Sequence, residues 1–411
     1  MVNPNAYTPK SVSIGPFHHG LQESTGVKMQ KLKYLKKFCL RTRKSQKDLA
    51  SIIEKKEEKI RGYYSETFKL ISNKKFVEII LLDGIFIIEL LWRNFKRQIN
   101  PGKYGNDYIL SNPWLESHIK QDLILLENQL PFKILQKLYE FAFDKEEVPP
   151  FLELACQFFF EDKPYRPIEK EVKHFTDLKR MFYSPSNPKP GPKSLKHLRY
   201  TATKLYETGL EFKALEHIDY SQNSLLDIEL AKGKHLERHP CLNLSWLFSC
   251  LPCLKLCQCS NNVRCILKVP QLIIDDKTEA LFRNLMALEQ CHYPLDTYIC
   301  HYVLLMDYLI TTKDDVRLLV EKKVIVNRRG SNKEVTTLIN KLGHEIVESE
   351  SCYHELYKQL DDHCGSTWNS LVASLTSVYF KDFWRGTATI AGIFVLGVTF
   401  VNFLRPFVMK N

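Results

Sequence analysis

The sequence predicts a mainly α-helical protein: one large helical domain with a few short strands, plus one C-terminal transmembrane helix. Three observations carry that reading. Apolar residues recur at three- and four-residue steps along nearly the whole chain, as helices with one buried side require. No repeat of fixed period is visible. From Thr387 to Leu404 the chain reads TATIAGIFVLGVTFVNFL, without a charge. At ~1.5 Å per residue such a helix spans most of a ~30 Å hydrocarbon core. Trp384 and Arg385 precede it and Arg405 and Lys410 follow, residue types suited to headgroups. A buried core helix is the alternative use of such a run.

The elements follow in order. Met29, Leu32, Leu35 and Cys39 mark an apolar stripe with lysines between. FVEIILLDGIFIIELLW, from Phe76 to Trp92, is apolar on most faces and reads as a core helix; Glu78, Asp83 and Glu89 argue against a second span. Pro113 suits the first turn of a helix running to about Leu126, and Pro131 that of the next, with Asn128 or Gln129 near its cap. SPSNPKPGPK has four prolines and a glycine and reads as a flexible linker over 184–194. A further helix stops at Gly209. Asp276 with Glu279, and Ser331 with Glu334, have capping-box spacing, and the second helix closes at Gly343. Short strands are expected around Leu225–Leu230 and Leu267–Ile274. The domain thus divides into a helical part at 1–183 and a second part of the same domain at 195–384. The latter carries a Cys-rich insertion at 234–266; the span at 387–404 and a short tail at 405–411 follow.

A chain of 411 residues can bury one large core or two to three ordinary ones, and 44% hydrophobic with 26% charged residues excludes general disorder. The net charge is +11, but it concentrates between Lys28 and Lys47, a stretch with no acid; the remainder is near balance. The N-terminal MVNPNAYTPKSVSIG has no apolar h-region and no cleavage site, so it is not a signal peptide. With a C-terminal span, this predicts insertion after synthesis and a cytosolic body.

Four groups of residues could carry chemistry. His18 and His19 in SIGPFHHG could bind a metal or carry a proton, but adjacent histidines in an extended chain point apart, and Gly15-Pro16 and Gly20 suit a structural loop. Asp83, Glu89, Asp122, Glu127 and Glu289 lie in apolar helices, where a carboxylate needs a partner; Arg93, Arg283 and His118 are candidates. Glu289 and His292 are the one Glu-x-x-His there, so a carboxylate-bridged metal pair, which needs two, lacks its ligands. Six of the twelve cysteines fall between Cys241 and Cys265, and Cys250 with Cys253 forms a C-x-x-C pair. The second pair that zinc requires is missing at the usual distance. The basic helix could touch lipid or RNA, but has no stacking platform; a solvated face over an apolar stripe is its bland role. Phosphate-loop, dinucleotide, nucleophile-elbow, zincin and EF-hand signatures are absent.

SVSIGPFHHG, KLKYLKKF, LLDGIFIIELL, NPWLESHIKQDLILLENQLPFKIL, IIDDKTEALFRNLMALEQC and YFKDFW occur in this order. From about Tyr7 onward the chain resembles the plant family defined by domain of unknown function 247. ENQLPF and the IDD…T-E…LFRNL…EQC block are its most specific motifs. The resemblance implies a plant protein with a helical body, a C-terminal membrane helix and no agreed activity or catalytic residues. Some grass members are associated with recognition between pollen and pistil. Two departures stand out. The chain begins almost at the SIGP motif, where members have a short preceding segment. The segment from Lys234 to Ile266 is extra, and reads as a retained intron or a lineage-specific loop.

The function expected is therefore binding of another macromolecule, most simply a protein, by a membrane-anchored helical domain. No cofactor and no catalytic residue are predicted. The alternatives are a metal-assisted hydrolase using His18, His19 and acids such as Asp122, and a basic protein that binds nucleic acid or lipid.

Overall fold

The structure, a computed structural model, describes residues 3–20, 25–64, 68, 71–104, 106–143, 148–160, 170–184, 197–215, 224–232, 265–344, 346–347, 351–366, 388, 391–392 and 394–402. The chain forms two compact units. The first comprises Met1–Ser186, Ile218–Leu226 and Asp275–Cys300; the second comprises Asn187–His217, Asp227–Ile274 and His301–Asn411.

The first unit is helical. Its helices are α1 (Thr25–Thr42), α2 (Gln46–Glu54), α3 (Glu57–Arg61), α4 (Asn73–Ile99), α5 (Pro113–Asp122), α6 (Phe132–Ala142), α7 (Phe151–Phe160) and α8 (Phe175–Tyr183), joined by the later α10 (Thr278–His292). The centre is α4, buried almost continuously from Phe76 to Asn94, as an all-round apolar helix must be. It packs against α1, α2, α6 and α7. Each fully buried Ile, Leu or Phe contributes roughly 1.5–3 kcal/mol. Helix ends follow local rules: Ser45 and Asp48 form a capping box on α2, and Asn112 caps α5 with Pro113 in the first turn.

The second unit mixes helices with strands. Between α9 (Ala202–Glu207) and β1 (Leu210–Leu215), Gly209 has φ +87°, the left-handed stop its position predicts. β1 pairs in parallel with β3 (Cys265–Pro270), and β2 (Glu229–Lys232) pairs antiparallel on the other side of β3. A second, two-stranded sheet pairs β4 (Leu272–Ile274) with β5 (Ile325–Asn327) in parallel. The helices α12 (Lys313–Glu321), α13 (Asn332–Gly343) and α14 (His354–Gly365) also belong to this unit, and α11 (Tyr298–Leu309) runs from one unit's residues into the other's. Ser331 caps α13 by accepting from Glu334 N at 3.2 Å.

The expected transmembrane helix is corrected. Among the described residues no helix is long and apolar enough to cross a membrane. The unbroken described helical run near the C-terminus is 394–402. Thr387 and Leu404, the expected limits, lie outside the described residues, as do nearly all of the Pro-rich linker and the 234–264 portion of the Cys-rich segment. Three smaller expectations also shift. The helix from Pro113 ends at Asp122, four residues early, and the carboxylate there binds another segment. The turn before α10 is closed by Asp275 and Thr278, leaving Glu279 to pair with Arg283. The buried side of α1 runs through Val27, Lys31, Tyr34, Leu35 and Phe38, with Met29 and Leu32 half exposed, since two large aromatic rings outweigh the thinner side chains in burial.

Gly15 is held by its backbone. Its φ is +76°, and a Cβ built there would lie 3.0 Å from the Gln129 carbonyl oxygen. Gly15→Ala is expected to destabilise the protein by about 2–3 kcal/mol, combining left-handed strain with the clash. An unchanged urea midpoint would remove this constraint.

Candidate functional site

In the first unit a cleft of about 890 Å³ opens between α1, α4 and the segment around Tyr104–Asn112. Its floor is a continuous ion-pair chain. Arg41 makes a two-pronged contact with Glu89, at 2.6 and 3.2 Å. Arg93 Nε donates to Glu89 Oε1 at 2.6 Å, and its Nη1 to Asp107 Oδ2 at 2.7 Å. The other Asp107 oxygen accepts from Tyr34 Oη at 2.7 Å and from the Ile109 and Leu110 N–H groups at 3.1 Å each. The Arg93 guanidinium lies 4.2 Å from the Tyr34 ring centroid, and Tyr34 stacks on Phe86.

These contacts set the ionisation. Burial pushes the Asp107 carboxyl up, but the bonds from Tyr34, Leu110 N–H and Arg93 outweigh it and leave Asp107 below the usual carboxylate range. Burial and the Asp107 charge push the Tyr34 phenol far up, so it is a fixed donor. Glu89 is 0% exposed and its oxygens face two arginines. Asp107 therefore stays ionised and Tyr34 protonated near neutral pH. Gln30, Lys33, Lys37, Tyr104, Asn106, Tyr108, Ser111 and Asn112 complete the lining. Lys33 and Lys37 are exposed, and neither has an ion-pair partner among the described residues. What the cleft offers a visitor is donors, cations and one half-exposed tyrosine.

A second polar system ties the N-terminal strand-like segment to the helices. Asp122 accepts from the backbone N–H groups of Lys10, Ser11 and Val12 at 2.9, 2.6 and 2.9 Å. Asn128 accepts from Ile14 N and donates to the carbonyls of Val12 and Asp122. Asp83 accepts from Gly15 N at 2.9 Å and pairs with Lys31 at 2.7 Å. Gln129 donates to the Leu123 and Leu125 carbonyls and accepts from Phe175 N. Asn284 bonds Leu126 N and the Ala6 carbonyl. Glu289 accepts from Arg180 Nε, Ile299 N and Cys300 N. The SIGP, LLDG, ENQLPF and LFRNL…EQC motifs thus meet as one set of backbone cross-links, which satisfies buried polar groups.

The two histidines lie in different surroundings, in a turn and not in an extended chain. His18 is 6% exposed, bonded to the Tyr7 backbone and kept neutral because burial pulls its pKa down; its Nε2 has no hydrogen-bond partner. His19 is exposed. Both Asp122 oxygens are already engaged, so these three do not assemble a metal site. Among the described residues no group of three or more His, Cys, Asp or Glu could hold one metal ion. Of the carboxylates singled out from the sequence, Asp83, Glu89 and Glu289 are ion-paired, Glu89 with Arg93, one of the candidate partners named from the sequence, while Asp122 is held by backbone N–H groups. Lys31 and Arg180, the partners of Asp83 and Glu289, were not foreseen. Of the described cysteines, burial pushes Cys156 up to about 12 and Cys265 and Cys364 up to about 11, leaving thiols that do not ionise at neutral pH. Sequence reasoning missed the cleft itself. The signal available was the polar, tyrosine-containing stretch YGNDYILSN between two apolar helices.

A helical scaffold whose most distinctive polar residues cross-link its own backbone, beside an open cleft with an ion-paired floor, defines the class. The chain belongs to DUF247, described as plant protein of unknown function, whose family model matches residues 1–398. It is 27% identical to the UPF0481 protein At3g47200 of Arabidopsis thaliana, over 98% of this chain and 83% of that protein. It is 22% identical to the putative UPF0481 protein At3g02645 of the same plant, over 98% and 89%. No solved structure matches it.

Proposed function

We propose that this protein is a recognition module that binds another protein through the cleft of the first unit, and that the cleft performs no catalysis. The observation that supports this most is the engagement of both cleft acids. Glu89 and Asp107 each hold an arginine, and Tyr34 is fixed as a donor. A general base needs a free lone pair aimed at its substrate, and the oxygens of Glu89 and Asp107 already accept from arginines and from Tyr34. Cations, amides and a tyrosine on a rigid helical support are the groups that recognition uses. The test is a photo-crosslinking amino acid at Gln30 or Tyr108 in the full chain, expressed in plant cells. A discrete cross-linked polypeptide is expected from both positions, and none from Lys59, exposed on α3. Absence of any protein adduct from both cleft positions would overturn the reading.

A further inference from the structure

We infer that the cleft, together with the outer face of α1, takes an acidic peptide segment of the partner protein. The inference rests on the binding role proposed above and adds the partner's chemistry. Between Thr25 and Lys47 there is no acid. The one α1 lysine that is buried, Lys31, is neutralised by Asp83. Lys28, Lys33, Lys36 and Lys37 are exposed, and none has an ion-pair partner among the described residues. The opposite wall does not cancel this field, because its only acid in the lining, Asp107, is buried and bound to Arg93. Unbalanced like charges on one face destabilise the free protein slightly and gain from an anionic visitor.

Shape selects among anionic visitors. The charged face is not purely polar: Met29, Leu32 and Leu40 are 49%, 48% and 71% exposed, and Tyr108 on the facing segment is 49% exposed. An occupant therefore carries apolar groups beside its carboxylates, as an acidic peptide with interspersed leucines does. A bilayer offers both chemistries but is flat and cannot enter a cleft of about 890 Å³. A nucleic acid enters a groove but calls for a series of exposed stacking platforms, and of the three tyrosine rings in the lining Tyr34 is buried, Tyr104 partly buried and Tyr108 alone exposed. A peptide also uses Asn106, Ser111 and Asn112, which match backbone amides.

The experiment measures fluorescence anisotropy on the full chain with a short labelled peptide of Glu and Leu. Its Lys-for-Glu counterpart, a single-stranded RNA and phosphatidylserine vesicles are tested in parallel. The acidic peptide is expected to bind with an affinity that falls with salt, and Lys33→Glu/Lys37→Glu to weaken it by about tenfold or more. The control Lys55→Glu/Lys59→Glu, of equal charge change outside the cleft, is expected to leave it within about twofold. An acidic peptide that binds no better than its Lys counterpart overturns the inference. So does tighter lysine-dependent binding of RNA or vesicles. Polypeptide cross-links from Gln30 without acidic-peptide binding would leave the recognition role standing and remove this partner chemistry; loss of both removes both.

Discussion

Asp122→Ala is expected to destabilise the first unit by about 3–5 kcal/mol, a large share of the roughly 5–15 kcal/mol that holds a domain folded. The carboxylate is 2% exposed and carries three backbone N–H bonds from Lys10, Ser11 and Val12. Truncation leaves all three donors without an acceptor. Each buried orphan costs about 1–3 kcal/mol, and water entering the gap recovers part. The segment that releases also carries Ile14 and Gly15, so their bonds to Asn128 and Asp83 weaken together. Asp122→Asn retains one acceptor oxygen, and a smaller loss of about 1–2 kcal/mol is expected. Guanidinium denaturation of the three proteins checks the order. Equal midpoints for wild type and alanine variant would show that the N-terminal segment contributes nothing to stability.

The second large effect is at Arg180. Its Nε donates to Glu289 at 3.0 Å, its Nη2 donates to the Asp296 carbonyl, and its guanidinium lies 4.1 Å from the Tyr293 ring centroid. Glu289 is 0% exposed and also binds Ile299 N and Cys300 N at the start of α11. Burial pushes the Glu289 carboxyl up, and Arg180 is the main influence pulling it back. Arg180→Met keeps the volume and removes the charge, leaving a buried carboxylate without its counter-ion. The expected loss is about 3–5 kcal/mol. Arg180→Met/Glu289→Gln is expected to recover about half, because the amide still accepts from the two N–H groups without a net charge. Thermal unfolding of both single variants and the double variant completes the cycle. Strict additivity would mean that the pair is not coupled.

These two residues show how much was legible beforehand. A carboxylate in an apolar helix must find a partner, so Asp83, Glu89, Asp122 and Glu289 announced their needs from composition alone. Of the three candidate partners named from the sequence, Arg93 is the one that meets one of these acids, Glu89, four residues away and within the reach of one helical turn. Arg180 is 109 residues from Glu289, and the amides that satisfy Asp122 are 110 to 112 residues away. The pairing of β1 with β3 is equally non-local: LEFKAL is too short to declare itself a strand without Cys265–Pro270 beside it. The cleft was invisible for a related reason, since its lining comes from α1, α4 and a loop whose residues have no common spacing.

The sequence by itself determined the mainly helical character, the central apolar helix, the first-turn proline at Pro113, the cap at Ser331, the stop at Gly209 and membership of the plant family. Each follows from residues within a few positions of one another, or from motif order. The tertiary structure alone decided which face of α1 is buried, which cations meet the buried acids, and that the motif residues bind backbone. It also corrected the terminal span, since among the described residues no helix is long and apolar enough to cross a membrane. The physical reason is range. Capping and periodicity act through neighbouring peptide groups, whereas ion pairing and ring packing act between whichever surfaces the folded chain brings within a few ångströms.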